Sequence, residues 1–212
     1  NEGYGDMLEL FVKIIENEYH ERHFVEWNYI AENSHPKVIK LIEKNLDKLN
    51  KAAHWHCLCS NKNAIHIIEK NIDNINLHNT WSSLCDNTSA YYLLNKYIQL
   101  DVKNNSCLID HSYLCWNKNP EILKLVNLNY LDSKDWKYIF SNPGARFIIE
   151  NNMDKLTKSN RHYLFENPNT IDLIEKEIEK EELNEICIEA LCSNVNASHL
   201  IEKYINKLSD KG

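Results

Sequence analysis

Turn formers are scarce in this chain: four Gly and four Pro serve 212 residues. So few points of reversal disfavour an all-β fold, which needs turn chemistry about every 8–12 residues. Long apolar runs are missing too, with none near the ~18 residues of a membrane span, and the first residues carry no basic-then-apolar leader. Basic runs are equally absent. Lys and Arg number 24 against 31 Asp and Glu, leaving a net charge of −7, which works against phosphate binding by bulk electrostatics. The seven Cys, at 57, 59, 85, 107, 115, 187 and 192, are odd in number and not spaced as a disulfide framework. No G-x-S-x-G, phosphate-binding loop or H-E-x-x-H occurs. These absences set the expectation of a soluble protein of a reducing, intracellular compartment. The same absences predict no membrane contact, no cofactor and no catalysis, with nucleic acid a disfavoured partner.

What is present is repetition. Hydrophobic residues make up 43% of the chain, with Leu, Ile, Glu and Lys prominent, a composition for an all-α fold. "LCSNKNAIHIIEKN" (58–71) returns as "IFSNPGARFIIENN" (139–152), "LFENPNTIDLIEKE" (164–177) and "LCSNVNASHLIEKY" (191–204). Anchored on Asn, the pattern has seven copies, at Asn33, Asn61, Asn87, Asn117, Asn142, Asn167 and Asn194, spaced 25–30 residues apart. Three residues before each Asn is Ile or Leu. Six before it stand Trp27, Trp55, Trp81, His111, Trp136, Arg161 and Ile188, so Trp holds that place in four copies. Downstream comes an apolar pair, Leu41-Ile42, Ile67-Ile68, Leu93-Leu94, Leu125-Val126, Ile148-Ile149, Leu173-Ile174 or Leu200-Ile201, usually followed by Glu.

A unit of this length holds two short helices and two turns. The Asn falls between them, and the "NP" at 142–143 and 167–168 suggests an N-cap with Pro at the first helical position. In copies one and four, where two extra residues bring in Pro36 and Pro120, the cap is expected at His35 and Asn119. The anchor Asn then ends the preceding helix in a left-handed conformation. Five or six apolar side chains per unit cannot offset the ordering of that unit's backbone, so each must stack on its neighbours. The predicted architecture is one α-solenoid over 1–212. It comprises a half repeat at 1–22 and repeats near 23–50, 51–76, 77–105, 106–131, 132–156, 157–182 and 183–212.

The pattern W-x-x-L-x-x-N-P-x-A-I-x-x-L-E-x-N resembles the short tandem "LSxNPNAI" repeats of giant DNA virus proteins, mimivirus- and phycodnavirus-like. It is carried best by "WKYIFSNPGARFIIENNMDKL" (136–156) and "WHCLCSNKNAIHIIEKNIDNI" (55–75), while copies three and four depart from it. The resemblance implies a viral interaction or scaffold protein with no shared catalytic residues.

Three candidate chemistries stand against plain structural roles. "HWHC" (54–57) with Cys59 has the residue types of a zinc site, yet Cys59 shares its repeat position with Ala31, Cys85, Cys115, Phe140, Phe165 and Cys192, a core slot. The Glu column at 43, 69, 150, 175 and 202 reads as a solvated helix face, since four of the five are followed by Lys. Trp27, Trp55, Trp81 and Trp136 read as inter-repeat packing. Trp116 differs, because its equivalents are Glu32, Ser60, Asp86, Ser141, Glu166 and Ser193, all polar. An exposed indole is predicted there, joined by Tyr92 and Phe147 from an outward position also held by Lys40, His66, Lys124, Asp172 and His199. The leading expectation is a scaffold that binds other proteins, host or viral, with a virion component and a nucleic-acid-reading solenoid as alternatives.

Overall fold

A computed structural model describes residues 26–209 apart from 79, 105, 107, 181 and 182. The half repeat expected at 1–22 and the opening residues of the first copy lie outside the described residues. The protein is all-α, with no strand among the described residues. Two compact units divide it, Asn1–Ile109 and Asp110–Gly212. At the end of the first, the buried Asp101 carboxylate accepts bonds from Ser106 Oγ and from the Leu108 and Ile109 amides, and so folds that loop back on its helix.

The first unit runs α1 (Trp27–Glu32), α2 (Pro36–Lys44), α3 (Ala52–Ser60), α4 (Ile65–Lys70), α5 (Ile72–His78), α6 (Trp81–Asp86) and α7 (Tyr91–Asn104). The leading helix of each copy packs on the next, α1 on α3 and α3 on α6. The second unit runs α8 (His111–Leu114), α9 (Pro120–Leu123), α10 (Trp136–Ser141), α11 (Arg146–Glu150), α12 (Arg161–Glu166), α13 (Ile171–Lys180), α14 (Glu185–Ser193) and α15 (Ser198–Ser209). There α10 packs on α12 and α12 on α14.

Copies one, four and five are not simple helix pairs. Their second helices stop early and 3-10 turns follow, at Leu46–Lys48, Leu128–Tyr130 and Met153–Lys155. In the first and last of these, Asn45 and Asn152 turn Nδ2 back onto the Leu41 and Ile148 carbonyls at 2.9 and 2.8 Å. Asn71 does the same to Ile67 at 2.8 Å, between α4 and α5. A side-chain amide thus takes the carbonyl that the next turn of helix would have used.

All seven apolar residues three before the anchor Asn are buried, as are Trp27, Trp55, Trp81 and Trp136. Trp55 Nε1–H is satisfied by the Leu49 carbonyl at 2.7 Å. His111 and Arg161 occupy the same slot, also buried, and each bonds to the backbone sixteen residues on: His111 Nδ1 accepts from the Asn127 amide at 3.0 Å, and the Arg161 guanidinium donates to the Glu177 carbonyl.

Two expectations need correction here. In copy four the buried pair is Ile122-Leu123, not Leu125-Val126, which are only partly covered. The helix α9 stops at Leu123, whereas α2, which starts at the equivalent Pro36, runs on to Lys44 and buries Leu41-Ile42 as well as Val38-Ile39. The slot two before the Asn is buried at Ala31, Cys59, Cys85, Cys115, Phe140 and Phe165, but Cys192 is exposed. From this slot Cys59 reaches Thr80 of the following copy, while Cys115 bonds to the His111 carbonyl of its own.

The anchor Asn does more than cap. At all seven positions its backbone N–H closes the leading helix onto the carbonyl three residues back, at 3.0–3.2 Å. At all seven its Oδ1 accepts from the amide two residues on, at 2.8–3.1 Å. Asn142 is the expected N-cap with Pro143 at the first position, and His35 and Asn119 cap as expected. The left-handed conformation expected at Asn33 is not adopted. Like Asn61, Asn87, Asn142, Asn167 and Asn194, it is extended, with φ between −83° and −74° and ψ between 109° and 116°. With this extended backbone, Nδ2 of Asn61, Asn87, Asn142, Asn167 and Asn194 points back at the preceding copy.

There Nδ2 makes the bonds that join copy to copy. Asn61 donates to the Ala31 and Asn33 carbonyls at 2.8 and 3.1 Å, and Asn87 to Cys59 at 2.7 Å. In the second unit Asn142 donates to Cys115 and Asn117, both at 2.8 Å. Asn167 reaches Phe140 and Asn142, both at 2.9 Å, and Asn194 reaches Phe165 and Asn167 at 2.8 and 3.1 Å. A second, exposed row lies two residues on, where Asn63, Asn169 and Asn196 donate to Ser34, Pro143 and Pro168. Gly144 holds that place in copy five, and a Cβ there would stand 2.7 Å from the Lys118 carbonyl.

Asn167→Asp replaces both inter-copy donors with a buried carboxylate facing two carbonyl oxygens, and is expected to cost about 3–5 kcal/mol, read as a fall in the urea midpoint. Trp55→Ala is expected to cost a similar ~3–5 kcal/mol through the cavity it leaves. Equal melting of either variant and the native chain removes the corresponding role.

Candidate functional site

Trp116 follows α8, its amide bonded to the Tyr113 carbonyl, and is 52% exposed. Its indole lies against the ring of Tyr138 in the next copy, with centroids 4.4 Å apart and planes at 35°. A cavity of about 250 Å³ opens beside them, walled by Lys118, Ser141, Asn142 and Pro143 as well as the two rings. The Asn ladder builds this site. Asn142 is pinned to the Cys115 and Asn117 carbonyls on either side of Trp116, so indole and phenol cannot drift apart without breaking buried hydrogen bonds.

Of the two companions expected for Trp116, Tyr92 is 63% exposed on α7 of the first unit, beside the partly exposed Tyr91. Phe147 does not line the Trp116 cavity. It is half-buried and packs against the core of the second unit, whereas Lys40, His66, Asp172 and His199 at the same register are exposed. An apolar ring gains by folding inward where a charged side chain does not. Tyr138 was not marked in the sequence reading. The available signal was a column four residues before the anchor, where Tyr29, Tyr113, Tyr138 and Tyr163 stand in four of seven copies.

The "HWHC" side chains point to different neighbours around α3. His54 is buried, His56 Nε2 lies 3.4 Å from Ser83 Oγ, Cys57 donates to Glu32 at 3.3 Å, and Cys59 to Thr80 Oγ1 at 3.5 Å. Burial pushes the Cys59 thiol up to about 12, partly offset by the Thr80 bond, and pushes Cys115 up to about 12. Cys57 is raised to about 11, by burial first and then by Glu32. Such thiols stay protonated near neutral pH and are poor nucleophiles. Among the described residues no group of three or more His, Cys, Asp or Glu side chains is placed to hold a metal ion.

The Glu column is more than a solvated face. Glu43 meets His66 of the next copy at 3.0 Å, Glu69 meets Lys96 at 3.3 Å, and Glu175 meets Lys203 at 2.6 Å. Glu150 pairs within its own helix with Arg146, which also forks onto Asp172 of the next copy at 2.7 and 2.9 Å. These exposed pairs set register and add about 0–1 kcal/mol each.

No helix is long and apolar enough to cross a membrane among the described residues. No protein-family model, curated protein or solved structure matches this chain.

His54 carries a pH dependence. Its pKa is held below the ordinary 6.5 by burial first and by the Lys51 ammonium second. The unfolded chain therefore binds the proton more readily, so the stability His54 contributes is present above its unfolded pKa and is lost as pH falls from there through its lower folded pKa. The urea midpoint is expected to fall as pH drops below about 6.5, and His54→Gln to flatten that slope. An unchanged slope in the variant assigns the loss to other groups.

Proposed function

We propose that this chain is a non-enzymatic protein-interaction scaffold whose copies form an α-solenoid, and that it belongs to the repeat-rich proteins of giant DNA viruses. The observation that carries the binding role is Trp116, an indole half in water at a position polar in every other copy, stacked on Tyr138 beside a small cavity. Aromatic surface left in water contributes little to folding, and covering it with a partner is favourable. Copy-on-copy packing and the Asn rungs within each unit support the solenoid. Raised thiol pKa values at the "HWHC" stretch support a role other than nucleophilic catalysis. The viral assignment rests on the resemblance of residues 55–75 and 136–156 to the "LSxNPNAI" repeats.

Affinity purification of the tagged chain from its native cells, in parallel with Trp116→Ala, tests the reading. Proteins that copurify with the native chain are expected to be lost from the variant, whose melting temperature stays within what about 1 kcal/mol produces. Identical partner sets from the two chains would move the interaction away from Trp116.

A further inference from the structure

The face around Trp116 extends further than that one indole. Tyr113, Tyr138 and Tyr163 occupy the same register in three successive copies, the first exposed and the other two half-buried. Trp116 stacks on Tyr138, and the His162 ring lies 4.0 Å from that of Tyr163. Between them Lys137 Nζ stands 4.6 Å over the Tyr138 ring. Hydrogen bonding to Tyr138 first, with the field of the Tyr138 and Tyr163 phenols and of the Asp135 carboxylate, holds Lys137 above its ordinary pKa.

Two features of this face select an occupant. Its spacing is one, because packed helix axes lie about 8–10 Å apart, the distance that about three residues of extended peptide cover. A strand-like segment crossing the copies would set every third side chain against one aromatic position. The charge is the other. Lys118 on the cavity wall and Lys137 make no ion pair among the described residues, although the Asp135 carboxylate acts on Lys137 from a distance and the chain as a whole carries −7. Glu166, exposed, takes the Trp116 position two copies on and bounds the cationic stretch. Two ammonium groups suit a few carboxylates and are too few for a nucleic-acid backbone.

We infer that the face running from Trp116 to Tyr163 docks an extended acidic peptide segment of a partner protein. An aromatic or aliphatic side chain of that segment enters the cavity between Trp116, Tyr138 and Pro143, and its carboxylates meet Lys118 and Lys137. This assignment rests on the scaffold reading and gives its partner a chemistry.

Panning a random dodecapeptide library on the whole chain, with Trp116→Ala as the counter-selection, tests it. Enriched peptides are expected to carry Asp or Glu between apolar residues. They should bind about tenfold or more weaker to Trp116→Ala, and similarly weaker to the doubly charge-reversed Lys118→Glu, Lys137→Glu chain. Rising salt should weaken them further. Peptides that need Trp116 but are neutral or basic, and are indifferent to the lysine reversals, overturn the acidic assignment and leave the scaffold reading standing. Peptides that do not distinguish the native chain from Trp116→Ala, or no enrichment at all, overturn both. Tighter binding of a thymidine dodecamer than of any selected peptide overturns the assignment in favour of single-stranded nucleic acid. Trp116 and Lys118 are exposed and Lys137 is half-exposed, so unchanged circular dichroism and melting are expected, and their measurement separates lost binding from lost folding.

Discussion

One side-chain amide, donated backwards at Asn61, Asn87, Asn142, Asn167 and Asn194, holds neighbouring copies within each unit in register. The anchor Asn closes the helix before it, starts the turn after it and donates across to the backbone of the copy behind. No other side chain does all three. Asp has no N–H to give, Gln is a methylene too long for the local turn, and Ser has a single donor. Where both Nδ2 hydrogens are used, as at Asn61, Asn142, Asn167 and Asn194, one goes to a carbonyl at the buried end of the preceding copy's leading helix, that of Ala31, Cys115, Phe140 or Phe165, which the helix itself leaves without a donor. The polar termini that make short helices costly thereby become the joints between copies. Helices as brief as α8 and α9, four residues each, survive for that reason.

A joint made of backbone and one amide leaves the rest of the repeat free to vary. The slot that holds Trp in four copies accepts His111 and Arg161 because each finds a backbone partner in its own copy. The slot two before the Asn takes Ala, Cys or Phe, and Gly144 lets two backbones come close where Asn63, Asn169 and Asn196 reach across. Outward positions bear the weakest constraint. Exposed ion pairs from copy to copy, such as Glu69 with Lys96, take up some of them, and aromatic side chains take up others. An interaction face therefore costs the fold little, since it lies on positions the ladder does not use.

Much of this was legible in the letters. Seven Asn at near-constant spacing, each three residues after Ile or Leu, reveal the period, the helical class and the helix boundary, and a Trp among polar equivalents is visible as out of place. Less legible was the second half of each copy. Apolar residues are dense enough after Pro120 that two registers fit the pattern, and only burial separates Ile122-Leu123 from Leu125-Val126. Tyr138 was hidden for a related reason. Tyr suits both a core and a surface, so a column of it announces neither.

Local periodicity is a property of the chain itself, and the sequence alone therefore determined the all-α class, the repeat length, the buried Trp column and the turn at each Asn. Tertiary structure decided which atoms those residues touch. That Nδ2 points back to the previous copy and not to its own helix, that Glu43 and Glu175 pair forward, and that Trp116 rests on Tyr138 while Phe147 folds inward all depend on separations of some 20 to 30 residues along the chain. Such contacts exist only once neighbouring copies are in place, because a hydrogen bond or ring contact is a matter of ångströms in space and leaves no periodic mark on the letters.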